Sequence, residues 1–362
     1  MKVTNNSGLH LYTAMGLLYS DYDHITDANY ISATKLLRPL KMLLLTQIAS
    51  VNGIESELDV SDLVKSFAGS AVHTAIEYAW SKKSIRDPLL AKLGKSKKYI
   101  KRILVNPTKK DLKKFKKKYP KLKPIIVITE KRAILKIGKY RIGGKCDVIF
   151  NGELGDVKNT STFKYSKIMQ EKTDYDLIVQ EPNNYKTLKQ IEDYCPSHFE
   201  WIMQLSIYRL LHGKRVSHNT GNIQNIFSDR KSSSPFPDYP DYATHTYYFR
   251  LFSKKATKTW IKAKLKKYDY LLKTATSEAD LPECTSNELW ASTPVFKVFN
   301  NDNKRATKVC KTYAEAAEFA KKKPTYHVKE VRSVSRCNFC PARQVCTQAD
   351  YLESVGVLKP KV

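Results

Sequence analysis

Hydrophobic positions along this chain follow two periods, and the places where one gives way to the other divide it into elements. Residues 28–50 (ANYISATKLLRPLKMLLLTQIAS) read as a Ser/Thr-capped apolar helix interrupted near Pro39. Ser61 is placed to cap a second helix running to about Trp80, with Leu63, Phe67, Ala71, Val72, Ala75, Ile76 and Ala79 at helical spacing. His73 and Glu77 stand four apart on one flank of that stripe. The period then falls to two. Ile125–Thr129 and Ala133–Ile137 read as strands, followed by Lys139–Phe150 and Glu153–Asn159. A helical pattern returns over 198–212 (HFEWIMQLSIYRLLH). Strands over 222–228 and 244–252 flank a Ser/Pro/Asp-rich loop (SDRKSSSPFPDYPDY) that is expected to be mobile, and a Lys-rich helix covers 254–275. A small hairpin with a helix at Tyr313–Lys323 fills 290–331.

Strands interleaved with helices predict an α/β fold. The pattern divides into an N-terminal helical segment over 1–60, a core over 61–280 with a basic insertion at 92–123, and a C-terminal subdomain over 281–362. Hydrophobic residues make up 42% of the 362, enough for a sizeable core, which argues against global disorder. No apolar run approaches the roughly 18–20 residues that cross a bilayer, and the N-terminus lacks the apolar stretch of a signal peptide. The expectation is a soluble, intracellular protein of the cytoplasm with no membrane partner.

Charge changes the picture. The chain carries 63 Lys and Arg against 35 Asp and Glu, a formal net charge of +28. Such an excess points to a polyanionic partner, nucleic acid before an anionic membrane, with plain solubility as the ordinary alternative. The excess concentrates in residues 92–123, with fifteen Lys and Arg and the single acid Asp111. Pro107 and Pro120 bracket a short helix there that presents Lys109, Lys110, Lys113, Lys114, Lys116 and Lys117, with Phe115 and Tyr119 interleaved. A charge run is most often a solvated face. The lack of compensating Glu favours phosphate contacts here.

The candidate chemistry lies in one hairpin, Gly143 to Lys158. Asn151-Gly152 between apolar residues signals a two-residue type I′ turn. That turn sets Phe150 opposite Glu153, Ile149 opposite Leu154, Val148 opposite Gly155, and Asp147 opposite Asp156. Two opposed carboxylates repel, and a divalent cation between them reverses the sign. Lys158 falls on the face of Asp156, two residues on. Carboxylates for Mg²⁺ or Mn²⁺ beside an ammonium suit phosphodiester hydrolysis: the metal generates hydroxide, and the lysine orients water or stabilises the transition state. A D-x-K alone carries almost no information; the register and the apolar surroundings raise this one.

With those residues in place the chain resembles the PD-(D/E)XK nucleases, in particular their RecB-like branch. Gly144-Lys145-Cys146-Asp147 matches G-x-x-D, Asp156-Val157-Lys158 matches (D/E)-x-K, and Gln204-Leu205-Ser206-Ile207-Tyr208 matches Q-x-x-x-Y. Gly69 to His73 matches the helix that brings a histidine to the metal, and Glu130 sits where such nucleases often carry an acid. The resemblance implies a restriction-endonuclease-like core, a mixed central sheet flanked by helices. It also implies roles. Asp147 and Asp156 bind the metal, His73 is a third ligand and the Val157 carbonyl a fourth. Lys158 is the catalytic lysine, and Gln204 and Tyr208 line the site or contact DNA.

Seven cysteines without a secretory signal argue against a disulfide framework. Cys337, Cys340 and Cys346 form C-x2-C-x5-C, a spacing poised for a soft metal. The same spacing closes the iron–sulfur nucleases of the AddB and CRISPR-adaptation types, which the chain resembles here. Those place a fourth cysteine near the N-terminus, and the matching stretch Ile31–Leu45 has none. Cys284 is the preferred fourth ligand, ahead of Cys310, Cys195 and Cys146. The site is expected to hold a four-iron four-sulfur cluster or Zn²⁺ as a staple in a cysteine-rich metal-binding subdomain.

The leading expectation is a metal-dependent DNA exonuclease or end-processing enzyme of recombination, replication or repair, with a protein partner from those processes. A non-catalytic DNA-binding scaffold and an RNA nuclease are the alternatives. No G-x-x-x-x-G-K-[ST] motor signature is present. The short, plain architecture resembles virus-encoded enzymes.

Overall fold

The computed structural model describes residues 2–20, 25–27, 29–54, 57–234, 238–301 and 303–359. The chain forms two compact units. One comprises residues 3–37 and 58–265, the other residues 1–2, 38–57 and 266–362. The division differs from the sequence-based boundaries at both ends. Residues 38–57 join the C-terminal unit because Leu44 and Leu45, in the helix Leu40–Val51, pack with Leu271, Leu281 and Ala342.

The larger unit is built on a curled mixed sheet flanked by helices. Its strands are β1 (Tyr30–Ser32), β2 (Ile103–Val105), β3 (Ile125–Ile137), β4 (Tyr140–Phe150), β5 (Glu153–Thr160), β6 (Thr220–Phe227) and β7 (Thr244–Arg250). They lie in the order β2-β3-β4-β5-β6-β7, with β1 on β4. The pairs β2/β3, β1/β4 and β5/β6 are parallel and the others antiparallel. The helix α1 (Val64–Ser81) packs against β3 and β5, and α3 (Pro196–His212), which follows α2 (Lys109–Lys118), packs against β3, β4 and β5.

Several elements differ from the periodicity reading. The stretch expected as two strands is one, β3, carried through residue 130 by a left-handed backbone at Glu130 (φ +48°). The helix near Ser61 is capped by Asp59, whose carboxylate accepts from the Ser61 N–H and hydroxyl and caps a short 3₁₀ turn ahead of α1. The apolar stripe of α1 is only half covered: no residue of the helix is buried, Val72, Ile76 and Ala79 are half-buried, and Phe67 is 43% exposed. His73 is half-buried beside Val72 and Ile76, while Glu77 of the same flank is exposed. Around Pro39 the expected interruption is present, between helices Ala33–Leu36 and Leu40–Val51, with β1 ahead of them. Ala28, where that pattern was read to begin, and residues 235–237 of the Ser/Pro/Asp-rich loop lie outside the described residues.

The hairpin turn is as the Asn-Gly pair requires. Asn151 (φ +48°) and Gly152 (φ +91°) are both left-handed, and Phe150, Ile149 and Val148 face Glu153, Leu154 and Gly155. The ladder to β4 ends at that third pair, while β5 stays paired with β6 from Leu154 to Thr160, aligning Asp156 with Ile223 and Lys158 with Asn225. The Asp147 carboxylate instead accepts the Val157 N–H at 2.8 Å.

Gly144 shows why this strand needs a glycine. A Cβ there would stand 2.5 Å from Cε1 of Tyr208, whose ring lies on the strand backbone. Gly144→Ala is therefore expected to destabilise the fold by about 1–3 kcal/mol. The same change in a Tyr208→Ala background should cost much less. Chemical denaturation of the four proteins of that cycle checks the pairing, and additive losses would refute it.

Candidate metal and active site

Two adjoining clusters occupy the face of the sheet where α1 and α3 approach β3, β4 and β5. In the first, His73 on α1 meets Asp147 on β4 and Glu130 on β3. His73 Nδ1 lies 3.4 Å from Asp147 Oδ2 and 4.0 Å from Glu130 Oε1. One ligand atom from each of the three falls within 4.8 Å of the others, the only such set of His, Cys, Asp and Glu among the described residues. Glu130 and Asp147 stand opposite each other, between the ladder pairs Thr129–Val148 and Lys131–Cys146. The left-handed turn at Glu130 takes that pair out of the ladder and aims both carboxylates at the histidine. Lys145 Nζ holds the other Glu130 oxygen at 3.0 Å.

In the second cluster Asp156, with only 3% exposure, is gripped from two sides. Lys158 Nζ lies 2.7 Å from Oδ2. Gln204 Nε2 donates to Oδ1 at 3.3 Å, and Gln204 Oε1 accepts from Lys158 at 3.0 Å. Gln204 Nε2 also donates to the Tyr208 hydroxyl at 3.2 Å, one turn on along α3. The i, i+4 pair Gln204/Tyr208 thus serves as a clamp: the amide orients the Asp156–Lys158 pair, and the ring packs on Gly144.

The electrostatics follow from burial. Asp147 has its pKa raised, first by loss of water and then by the Asp156 charge, against the Val157 N–H and Lys158. Burial works against the Lys158 ammonium, but Asp156 and Asp147 outweigh it, so its pKa is raised and it stays charged at neutral pH. Tyr208 is pushed well above the ordinary phenol by burial and by Asp156 and remains neutral. A divalent cation fits the first cluster by donor chemistry: two carboxylates and an imidazole, with negative charge in excess.

The sequence-derived set is therefore largely brought together, with a changed division of roles. His73, Glu130 and Asp147 converge, while Asp156 is committed to Lys158 and Gln204. Val157 takes part through its N–H. The expected facing pair Asp147/Asp156 is not formed: the β4–β5 ladder ends at Val148–Gly155, and Asp147 accepts the Val157 N–H. Asn225 was not anticipated. It sits level with Lys158 on the neighbouring strand and is 1% exposed.

All six lysines singled out on α2 are exposed, with Phe115 anchoring the helix. Of these, Lys114 lines a cleft with Lys83, Lys101 and Lys118. In the smaller unit Cys284, Cys337, Cys340 and Cys346 line one cavity with Lys41, Arg336 and Arg343. Burial raises the Cys284 thiol to about 12 and Cys346 to about 11, and raises Cys337 and Cys340 as well. Lys41, only 2% exposed, pairs with Glu278 at 3.1 Å and Glu283 at 2.8 Å. The four sulfurs share the cavity without three of them closing within 4.8 Å. A single zinc, with Zn–S bonds of about 2.3 Å, would need them to draw together. Cys146, Cys195 and Cys310 are buried elsewhere, and no cysteine is in a disulfide. No helix among the described residues is long and apolar enough to cross a membrane.

No family model matches the chain, and no curated protein does. Among solved structures it is similar to one described as the crystal structure of SSO0001, at 14% identity and a TM-score of 0.36, over 73% of this chain and 86% of that one. That likeness is distant.

Glu130 yields a test. A left-handed non-glycine residue costs on the order of 1–3 kcal/mol, and asparagine tolerates that conformation better than glutamate. Glu130→Asn should raise the stability of the metal-free protein by about 1 kcal/mol while weakening Mn²⁺ binding at least tenfold. Urea denaturation and calorimetric Mn²⁺ titration read the two effects. Unchanged Mn²⁺ affinity would remove Glu130 from the site.

Proposed function

We propose that the chain is a metal-dependent DNA nuclease of the PD-(D/E)XK type, acting on DNA ends as an exonuclease or end-processing enzyme. The observation that carries this reading is the convergence of His73, Glu130 and Asp147 beside a buried Asp156–Lys158 pair clamped by Gln204. Mg²⁺ or Mn²⁺ bound by the three would supply activation of water and neutralisation of charge at the phosphate. The chain's own residues supply position. Lys158, held charged, faces the phosphate as a fixed donor. Asp156 fixes the lysine's direction and adds a carboxylate at the edge of the metal site. Gln204 and Tyr208 keep both from swinging. The basic surface around α2, with Lys114 and Lys118 in its cleft, would meet backbone phosphates and give binding that weakens with salt.

We read the cysteine cavity as the place of a structural metal group, a four-iron four-sulfur cluster or, with the sulfurs drawn together, Zn²⁺, held by Cys284, Cys337, Cys340 and Cys346. Four thiolates would carry excess negative charge, and Lys41, Arg336 and Arg343 line the same cavity. A bound metal deprotonates thiols that are otherwise held neutral.

With end-labelled DNA and Mg²⁺ or Mn²⁺, wild-type protein should cleave and chelator should stop it. Asp147→Asn and Lys158→Ala should each lower the rate by about 10²–10³ or more while leaving DNA affinity nearly intact. Wild-type rates in either variant would sink the assignment, and circular DNA separates end-dependent from internal cutting. For the second site, Cys340→Ser should lower bound iron or zinc and the melting temperature together. Elemental analysis with visible absorption reads the metal, and a variant with neither change would exclude the site.

A further inference from the structure

Residues 295–331 form a small module of their own: β8 (Val295–Asn300), β9 (Lys308–Cys310), α4 (Tyr313–Ala320) and β10 (Tyr326–Val331). The strands lie antiparallel in the order β9-β8-β10. The helix α4 covers one face, where Val298, Cys310 and Ala316 are buried among Phe296, Phe319, Tyr326 and Val328. Strand alternation sends Val295, Lys297 and Phe299 to the opposite face. The register sets Val331, Lys329 and His327 directly against those three, with Val309 beside Lys297. Val309, His327 and Lys329 are exposed.

Two features of this open face call for a ligand. The first is the Lys297–Lys329 pair. Like charges directly opposite on a sheet destabilise it, and neither lysine has an ion-pair partner among the described residues. The second is the neighbouring pair. Phe299 and His327 stack at 5.7 Å with ring planes 19° apart, two residues along the strands from the lysines. Two residues span about 6.8 Å, the scale of one nucleotide step in an extended strand. A ligand with planar groups beside regularly spaced negative charges satisfies both features. The module as a whole is basic, with nine Lys and Arg against four Asp and Glu.

We propose that this sheet face binds single-stranded DNA, with bases stacking on Phe299 and His327 and phosphates meeting Lys297 and Lys329. Unpaired bases are required because only they expose a ring to a flat aromatic surface. An acidic protein would satisfy the lysines and leave the stacked rings without a role. The choice of DNA over RNA rests on the nuclease reading; the stacking and charge arguments do not.

The test uses the full-length chain in EDTA, so that binding is read without cleavage and independently of the metal site. Anisotropy of a labelled 20-nucleotide oligothymidine is compared with that of a duplex of equal length. Phe299→Leu and the double change Lys297→Gln/Lys329→Gln should each weaken oligothymidine binding about tenfold and duplex binding less than twofold. The lysine variant should also flatten the logarithmic salt dependence by about 1.4, at about 0.7 per single-strand phosphate contact. Unchanged oligothymidine affinity in the lysine variant would overturn the proposal, and that variant suffices if Phe299→Leu fails to fold. Equal losses on duplex, or displacement by polyglutamate as readily as by unlabelled oligothymidine, would reduce the face to a general anion patch and overturn it too. Loss of cleavage in the active-site variants with this binding intact separates the two sites.

Discussion

The larger unit depends on keeping three carboxylates, Glu130, Asp147 and Asp156, together where water is scarce. Each is at least four-fifths buried by its side chain. Like charges so placed repel strongly, because the surroundings screen them poorly. The fold answers with side chains at fixed positions: the ammonium of Lys158 on Asp156, that of Lys145 on Glu130, and the His73 ring between Glu130 and Asp147. Asp147 remains the least compensated of the three, with no lysine or arginine in ion-pair contact among the described residues. Its carboxylate leans on a backbone N–H and a histidine, and burial, followed by the Asp156 charge, displaces its pKa upward. A divalent cation at that point would remove the imbalance that the chain leaves in place.

Holding this arrangement explains the local departures from regular structure. Glu130 takes a left-handed backbone within a thirteen-residue strand, where regular extension would be cheaper. The β4–β5 ladder stops after three pairs, which lets Asp147 reach the Val157 N–H. Gly144 gives up a side chain so that Tyr208 can lie on the strand and support Gln204. These are small costs distributed over neighbouring elements, and all of them converge on the same face.

Much of this was legible in the sequence because it is local. Asn151-Gly152 permits one turn type, and the turn sets the next three pairs. Helix spacing alone places Gln204 and Tyr208 on one face. What was not legible depends on where chains go after local rules run out. The end of the β4–β5 ladder after three pairs, and the pairing of β5 with β6 some sixty residues on, are tertiary features. The half-covered stripe of α1 shows that a helical period marks a face without saying what covers it. The Glu130 conformation has no signature in a sequence that reads as two strands with a break. The grouping of Leu44 and Leu45 with Leu271 and Leu281 is a tertiary choice among equally apolar partners.

The cysteine cavity sharpens the contrast. Spacing picked out Cys337, Cys340 and Cys346, but the fourth was chosen among scattered candidates. In the structure Cys284 shares their cavity, and the stretch expected to carry a cysteine contributes Lys41 instead. A buried ammonium is tolerated only with close countercharge, which Glu278 and Glu283 provide. Those glutamates flank the approach to Cys284, and Glu278 also accepts the Thr347 N–H next to Cys346. Lys41 therefore acts as a cross-link. It ties the helix Leu40–Val51 to the segments that bring two of the four cysteines to the cavity. An N-terminal side chain can tie this corner together by ion pairing, leaving the thiols to segments 284–346.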